Sequence, residues 1–159
     1  MGKEIERKFL VRRDEGWINK AGTKIVQGYL NLEKERTVRV RKKGVKSFIT
    51  IKGKSSGAAR KEFEYEIPEK DADELLKICH QPLIKKNRRR IEKGKFVWEI
   101  DEFLGENSGL LLAEVELEYE AENVELPDWI EKEVTGNPKY YNSQLVQYPY
   151  SDWKNNNEE

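Results

Sequence analysis

The chain has 159 residues, with 30 Lys+Arg against 30 Asp+Glu, and charged residues make up 38% of it against 36% hydrophobic. The length fits one domain, expected over residues 1–150, and zero net charge argues against a protein that coats nucleic acid or an anionic membrane. Cys79 and His80 are the only residues of their types, which rules out an internal disulfide, Cys/His zinc sites and His-based triads, and leaves oxygen ligands for any metal.

From the N-terminus, Glu4, Glu6 and Lys8 alternate with Ile5, Arg7 and Phe9, the period-two pattern of a strand. A start charged from Lys3 does not resemble a signal peptide. Arg39, Arg41 and Lys43 then alternate with Val38, Val40 and Lys42, and Lys43-Gly44-Val45 predicts a hairpin turn. Thr50 and Lys52 alternate with Ile49 and Ile51, Ser55-Ser56-Gly57 reads as a loop, and Glu62, Glu64 and Glu66 alternate with Phe63, Tyr65 and Ile67. After Pro68, the spacing of Ala72, Leu75, Leu76 and Cys79 predicts an amphipathic helix over Glu69–His80. Lys86, Arg88 and Arg90 form a less regular strand, because Arg89 breaks its apolar face. A turn at Lys93-Gly94-Lys95 leads to Glu99 and Asp101 between Trp98 and Ile100. Gly105 to Gly109 separates that strand from Glu114, Glu116 and Glu118, which alternate with Val115, Leu117 and Tyr119.

Leu126, Trp129, Ile130 and Val134 predict a second helix around Pro127. The aromatic-rich stretch Pro138 to Tyr150 is expected to pack back on the sheet, and the polar tail, 151–159, to be disordered. About eight strands at this spacing suit an antiparallel barrel or sandwich. The longest apolar run, Leu110 to Ala113, is far below the roughly 18 residues of a membrane span. A soluble, cytoplasmic protein is the expectation.

The zero sum hides segregation. Lys34 to Lys61 holds eleven Lys/Arg and one acid, Lys85 to Lys95 seven and one, and Glu99 to Glu133 thirteen acids and one base. Opposite charges on neighbouring solvated strands would form weak pairs, but three acids in a row on one face repel each other. If the sheet closes, these side chains converge on a polar interior. Clustered carboxylates are tolerable around a divalent cation, and clustered Arg and Lys around phosphates. The pattern describes a chamber for a metal-bound polyphosphate.

Glu4-Ile5-Glu6-Arg7-Lys8 resembles the N-terminal Glu-x-Glu-x-Lys motif of the CYTH superfamily, the triphosphate tunnel metalloenzymes. The ordered series that follows carries the resemblance further: Gln27-Gly28-Tyr29-Leu30, Arg39-x-Arg41, Thr50-Ile51-Lys52, Glu62-x-Glu64, Lys86-x-Arg88, Asp101-Glu102-Phe103 and Glu114-x-Glu116. It spans about Gly2 to Tyr148. It implies a mainly β fold, a closed eight-stranded antiparallel β-barrel or tunnel with a few surface helices. The implied activity is divalent-metal-dependent hydrolysis or cyclisation of a triphosphate.

The resemblance puts Glu4, Glu6, Glu114 and Glu116 on Mg2+ or Mn2+, with Asp101 a further candidate on the acidic face. It puts Arg39, Arg41, Lys52, Lys86 and Arg88 on substrate phosphates, with Arg60 and Arg90 behind them. Glu62 and Glu64 either bind a second metal or hold the basic residues. Lys8 binds phosphate, pairs with a glutamate, or acts with Tyr29 near the attacked phosphorus. A water attacking the terminal phosphorus needs a metal or a glutamate to activate it. The expected substrate is a small-molecule triphosphate, inorganic tripolyphosphate first and nucleoside triphosphates next, with neither nucleic acid nor membrane as partner. The alternatives are a class IV-type adenylate cyclase, a thiamine triphosphatase and a non-catalytic polyphosphate- or nucleotide-binding module. Trp17, Trp98, Trp129, Tyr140 and Tyr141 are the residues able to stack on a base, although large aromatics more often fill cores.

Overall fold

The computed structural model describes residues 3–33, 35–56 and 58–155. Nine strands form one antiparallel sheet: β1 (Lys3–Val11), β2 (Thr23–Asn31), β3 (Arg36–Lys43), β4 (Lys46–Ser56), β5 (Ala59–Ile67), β6 (Ile84–Lys93), β7 (Phe96–Leu104), β8 (Leu111–Glu116) and β9 (Ile130–Glu133). Their order is β5-β4-β3-β2-β6-β7-β8-β1-β9, and β5 also pairs with β1. Eight strands therefore close into the expected barrel, and β9 lies outside it. Three short helices accompany it: α1 (Glu69–Lys77), α2 (Asn142–Gln147) and α3 (Tyr150–Asn155). Among the described residues no helix is long and apolar enough to cross a membrane.

Closure is strongly staggered. The β5 ladder on β1 covers only Lys3 to Ile5, whereas β8 pairs with Glu6 to Leu10. The far half of β1 would thus present unpaired backbone, which is costly when buried. β9 satisfies it, with Phe9 opposite Glu133 and Val134 N donating to Lys8 O at 2.8 Å. This corrects the second predicted helix. Ile130 N turns back to Pro127 O and the chain then runs extended, because a waiting strand edge outweighs a weak helical period.

The glycine turns fall where the sequence places them. Gly44 and Gly94 open the β3–β4 and β6–β7 hairpins with φ of 59° and 61°, a region glycine enters without strain. Strand β4 continues through Ser56, so the expected loop is shorter, and Gly57 lies outside the described residues. Helix α1 stops at Lys77 rather than His80. The residue before Pro82 is biased to extended backbone, and His80 N already donates to Tyr29 O.

The apolar core lies mainly on the outer faces of the barrel. Phe9, Trp98, Val115, Trp17 and Trp129 form one cluster, with Trp98 edge-on to Trp129 at 5.7 Å. Helix α1 buries Ala72 and Leu76 over Val40. Gly28 lets it approach, since a Cβ there would stand 2.7 Å from the Cβ of Cys79. A third cluster joins Tyr29, Ile84, Phe103 and Leu112 to Tyr140, Leu145, Val146 and Trp153 of the C-terminal segment. That segment packs back as expected. The expectation of disorder is corrected for 151–155 only, because α3 continues to Asn155 and Trp153 is buried against Tyr140, Tyr148 and Tyr150. Residues 156–159 lie outside the described residues.

Candidate active site

Alternation turns one charged face of each strand inward, and the faces meet around a cavity of ≈ 150 Å³. Glu4, Glu6 and Lys8 come from β1, Tyr29 from β2, Arg39 and Arg41 from β3, Lys52 from β4, and Arg60, Glu62 and Glu64 from β5. Lys86 and Arg88 come from β6, Glu99 from β7 and Glu114 from β8. Of the metal, phosphate and catalytic candidates named in the sequence, Asp101, Glu116 and Arg90 are not part of this lining. Glu116 is in register with Glu6. Arg90 is largely exposed beside Glu92. Asp101 lies buried under the cations.

Each positive group has a specific partner. Arg88 and Lys86 both sit on Asp101, at 2.7 Å each, and Arg88 also reaches Glu99 at 3.2 Å and Glu114 at 3.4 Å. Lys52 joins Glu4 at 2.9 Å and Glu62 at 3.6 Å. Lys8 lies 3.6 Å from Glu114 and donates to Tyr140 O at 3.4 Å. Glu64 accepts from Thr50 at 3.0 Å and from Arg39 at 3.5 Å. Arg60 donates to Gly53 O at 2.6 Å. Arg41 Nε donates to Gln27 Oε1 at 2.8 Å.

These neighbours set the protonation states. Burial opposes ionisation of Asp101 and Glu114, but Arg88 with Lys86 in the first case, and Lys8 with Arg88 in the second, hold both well ionised. Lys86 is pushed down to about 7, first by burial and then by Arg88 and Arg41, with Asp101 offsetting part of it. Burial would discharge Lys8, yet Glu114 and Glu6 keep its pKa above the usual lysine value. Burial and then Glu114 and Glu4 raise Glu6 well above the carboxylate range. Glu62 is raised by burial and Glu4, and Glu116 by burial, Glu4 and Glu99.

The raised Glu6, Glu62 and Glu116 mark a concentration of carboxylates that a divalent cation would relieve, so the donor set fits a hard metal. As the side chains stand, no three acids among the described residues are close enough to share one ion, because lysines hold Glu4 and Glu114. Asp101 is a poorer ligand than its position on the acidic face suggested, since both its oxygens are engaged by Arg88 and Lys86.

The aromatic candidates divide. Trp17, Trp98, Trp129 and Tyr140 belong to the apolar clusters, and only Tyr141 lines the cavity, with Lys8 Nζ 5.7 Å from its ring centre. Sequence reasoning did not find Thr135, Asn142 and Ser143, which also line it. They come from the segment that closes over the apolar end of the barrel, and no charge pattern signals them. Asn142 Oδ1 accepts from Lys86 at 3.0 Å and from Gln27 at 3.4 Å.

Residues 2–145 match the model of the CYTH domain family. The chain is 48% identical over 155 residues to an inorganic triphosphatase of Acetivibrio thermocellus, covering 97% of this chain and 99% of that protein. Its fold superposes on a crystal structure of an inorganic triphosphatase with a TM-score of 0.64 and 30% identity, over 90% of this chain and 93% of the other. A putative adenylyl cyclase from Hippeastrum, described as having a dominant triphosphatase activity, shares the fold at a TM-score of 0.56 and 13% identity, over 73% and 80% of the two chains.

Proposed function

The chain belongs to the CYTH domain family, and on that basis we propose that it hydrolyses inorganic tripolyphosphate to pyrophosphate and phosphate, using a divalent metal. The observation that carries this is the shared cavity. Guanidinium and ammonium groups able to seat a chain of phosphates stand within one barrel of carboxylates able to hold a hard cation. Nucleoside triphosphates are the second substrate class.

Arg39, Arg41 and Arg88 offer planar forks that match phosphate oxygens, while Lys8, Lys52 and Lys86 act as point charges. Together they neutralise charge growing on the bridging oxygen as the terminal phosphoryl group departs. Glu4, Glu6, Glu114 and Glu116 would hold Mg2+ or Mn2+, which when bound supplies charge neutralisation and orients a water. Asp101 serves better as the anchor of Arg88 and Lys86 than as a ligand. Glu62, made more basic by burial and by Glu4, is suited to take a proton from the attacking water. Glu64 sets Arg39 through Thr50. Lys8, held between Glu114, Tyr140 and the Tyr141 ring, would stand beside the reacting phosphates. A cytoplasmic location suits these substrates.

Phosphate release from tripolyphosphate, longer polyphosphate, ATP and thiamine triphosphate, with Mg2+ or Mn2+ and with cyclic AMP assayed in parallel, tests this. The expected result is metal-dependent release from tripolyphosphate, abolished by chelator and by Glu4→Gln. Full activity in chelator defeats the metal assignment. Cyclic AMP as the main product from ATP replaces the hydrolase with a cyclase. Tight, metal-independent binding without turnover replaces it with a binding module.

A further inference from the structure

Five cations facing the cavity have a carboxylate partner: Lys52, Lys86 and Arg88 within 2.9 Å, Arg39 at 3.5 Å and Lys8 at 3.6 Å. Arg41 differs, because among the described residues it forms no ion pair. The group that holds it is neutral: Oε1 of Gln27, itself fully buried.

The direction of the Gln27 amide follows from chemistry. A guanidinium only donates, so the atom facing Arg41 Nε must be the oxygen. The amide nitrogen then points the other way, towards Tyr29 Oη at 3.1 Å and Asn142 Oδ1 at 3.4 Å. The orientation of Asn142 follows from Lys86, whose ammonium, the form paired with Asp101, only donates. Two cations at the ends therefore set the polarity of the Arg41–Gln27–Asn142–Lys86 chain, and the only acid that touches it, Asp101, does so at the far end, on Lys86.

We propose that Gln27 is a positioning residue for Arg41, fixing the guanidinium without neutralising it, so that a whole positive charge remains for a substrate phosphate. The inference rests on reading the cavity as a triphosphate seat. With Nε tied to Gln27, the two Nη groups are left to face the cavity that Arg41 lines. The cost of leaving this charge uncompensated is visible. Burial first, then Arg39 and Arg88, push the Arg41 guanidinium down to about 9. An acid at position 27 would remove that cost, and would also cancel the charge that attracts the anion.

The test compares Gln27→Glu with Gln27→Met, assaying tripolyphosphate hydrolysis and thermal stability in each. Gln27→Glu keeps an acceptor for Arg41 Nε in the same place but adds the missing negative charge. It is expected to raise KM by about tenfold or more, with kcat within about threefold of the unaltered protein and an equal or higher Tm. Gln27→Met removes the acceptor and leaves the charge, so it is expected to raise KM less and lower kcat more. A purely structural role predicts the reverse order, with Glu tolerated and Met impaired in Tm. An unmoved KM in Gln27→Glu overturns the inference while the hydrolase reading stands. If Gln27→Glu does not fold, a Gln27→Met protein of normal Tm with unchanged kcat and KM overturns it instead. An unaltered protein that neither binds nor hydrolyses tripolyphosphate overturns the hydrolase reading itself.

Discussion

Arg88 and Asp101 stand directly opposite each other on β6 and β7 and close a two-pronged ion pair, Nε to Oδ1 at 2.7 Å and Nη2 to Oδ2 at 2.8 Å. Lys86 shares the same carboxylate. Asp101→Asn would take the shared carboxylate from two buried cations, leaving Lys86 without an ion pair among the described residues and Arg88 with only the longer contacts to Glu99 and Glu114, a loss that typically costs about 3–5 kcal/mol. A fall in Tm of that scale is expected in thermal melts. Tripolyphosphate should restore more of it than it adds to the unaltered protein, because the anion supplies the missing charge. A variant that melts normally but has lost metal affinity would instead return Asp101 to the metal.

Glu6 gives a pH dependence of defined sign. Its folded pKa lies well above the usual value, through burial and then Glu114 and Glu4. Such a group stabilises the fold at low pH, and that stability is lost as pH rises through the folded pKa. Asp101 and Glu114 are held low, so their contribution is present above the ordinary carboxylate range and lost as pH falls through their folded values. The metal-free protein should therefore gain stability on mild acidification, before the second pair is reached. Glu6→Gln should raise stability by about 1 kcal/mol at pH ~8 in chelator and flatten the gain, while turnover is lost. Identical pH profiles for the two proteins would contradict this.

Arginine geometry is expected to matter as well as charge. Arg39→Lys retains a cation but not the fork, and Thr50 would lose a donor that now lies 3.1 Å away. A fall in kcat/KM of about tenfold to a hundredfold is expected in steady-state assays with tripolyphosphate. Activity equal to that of the unaltered protein would remove Arg39 from the phosphate set.

The last helix should be needed for stability. Trp153 is buried at the centre of three tyrosines, Tyr140 at 5.3 Å and Tyr150 at 5.0 Å among them. Trp153→Ala is expected to cost about 3–5 kcal/mol by urea denaturation. Ending the chain after Pro149 should be at least as damaging. A truncated protein of unchanged stability would show that α3 is dispensable.

Much of the barrel was legible because its strands carry charge on one face and apolar groups on the other, as Glu62-Phe63-Glu64-Tyr65 does. The period survives even though the usual roles of the faces are exchanged, with the charged face turned inward. Cavity residues on these strands, from Glu4 to Glu114, were legible for the same reason. β9 was not, because Ile130–Glu133 is a strand only by virtue of the open edge of β1, which depends on the stagger of the closed barrel. Nor was Asn142, whose importance comes from the position of its helix over Lys86. The pairing of Asp101 with Arg88 and Lys86 was not legible either, since a carboxylate under two cations and one facing a metal have the same sequence signature.

The ion pairs inside the barrel have a further consequence. Glu4 is held by Lys52 and Glu114 by Lys8, so an arriving ligand meets matched salts and must exchange partners with them. A divalent cation alone would take the carboxylates and strand the lysines. A polyphosphate alone would claim the lysines and strand the carboxylates. Entering as one complex, the two carry out a double exchange that strands neither the carboxylates nor the lysines, so each should tighten the binding of the other by the same factor. The barrel then resembles a mixed-bed ion exchanger, selective for a salt over either of its ions.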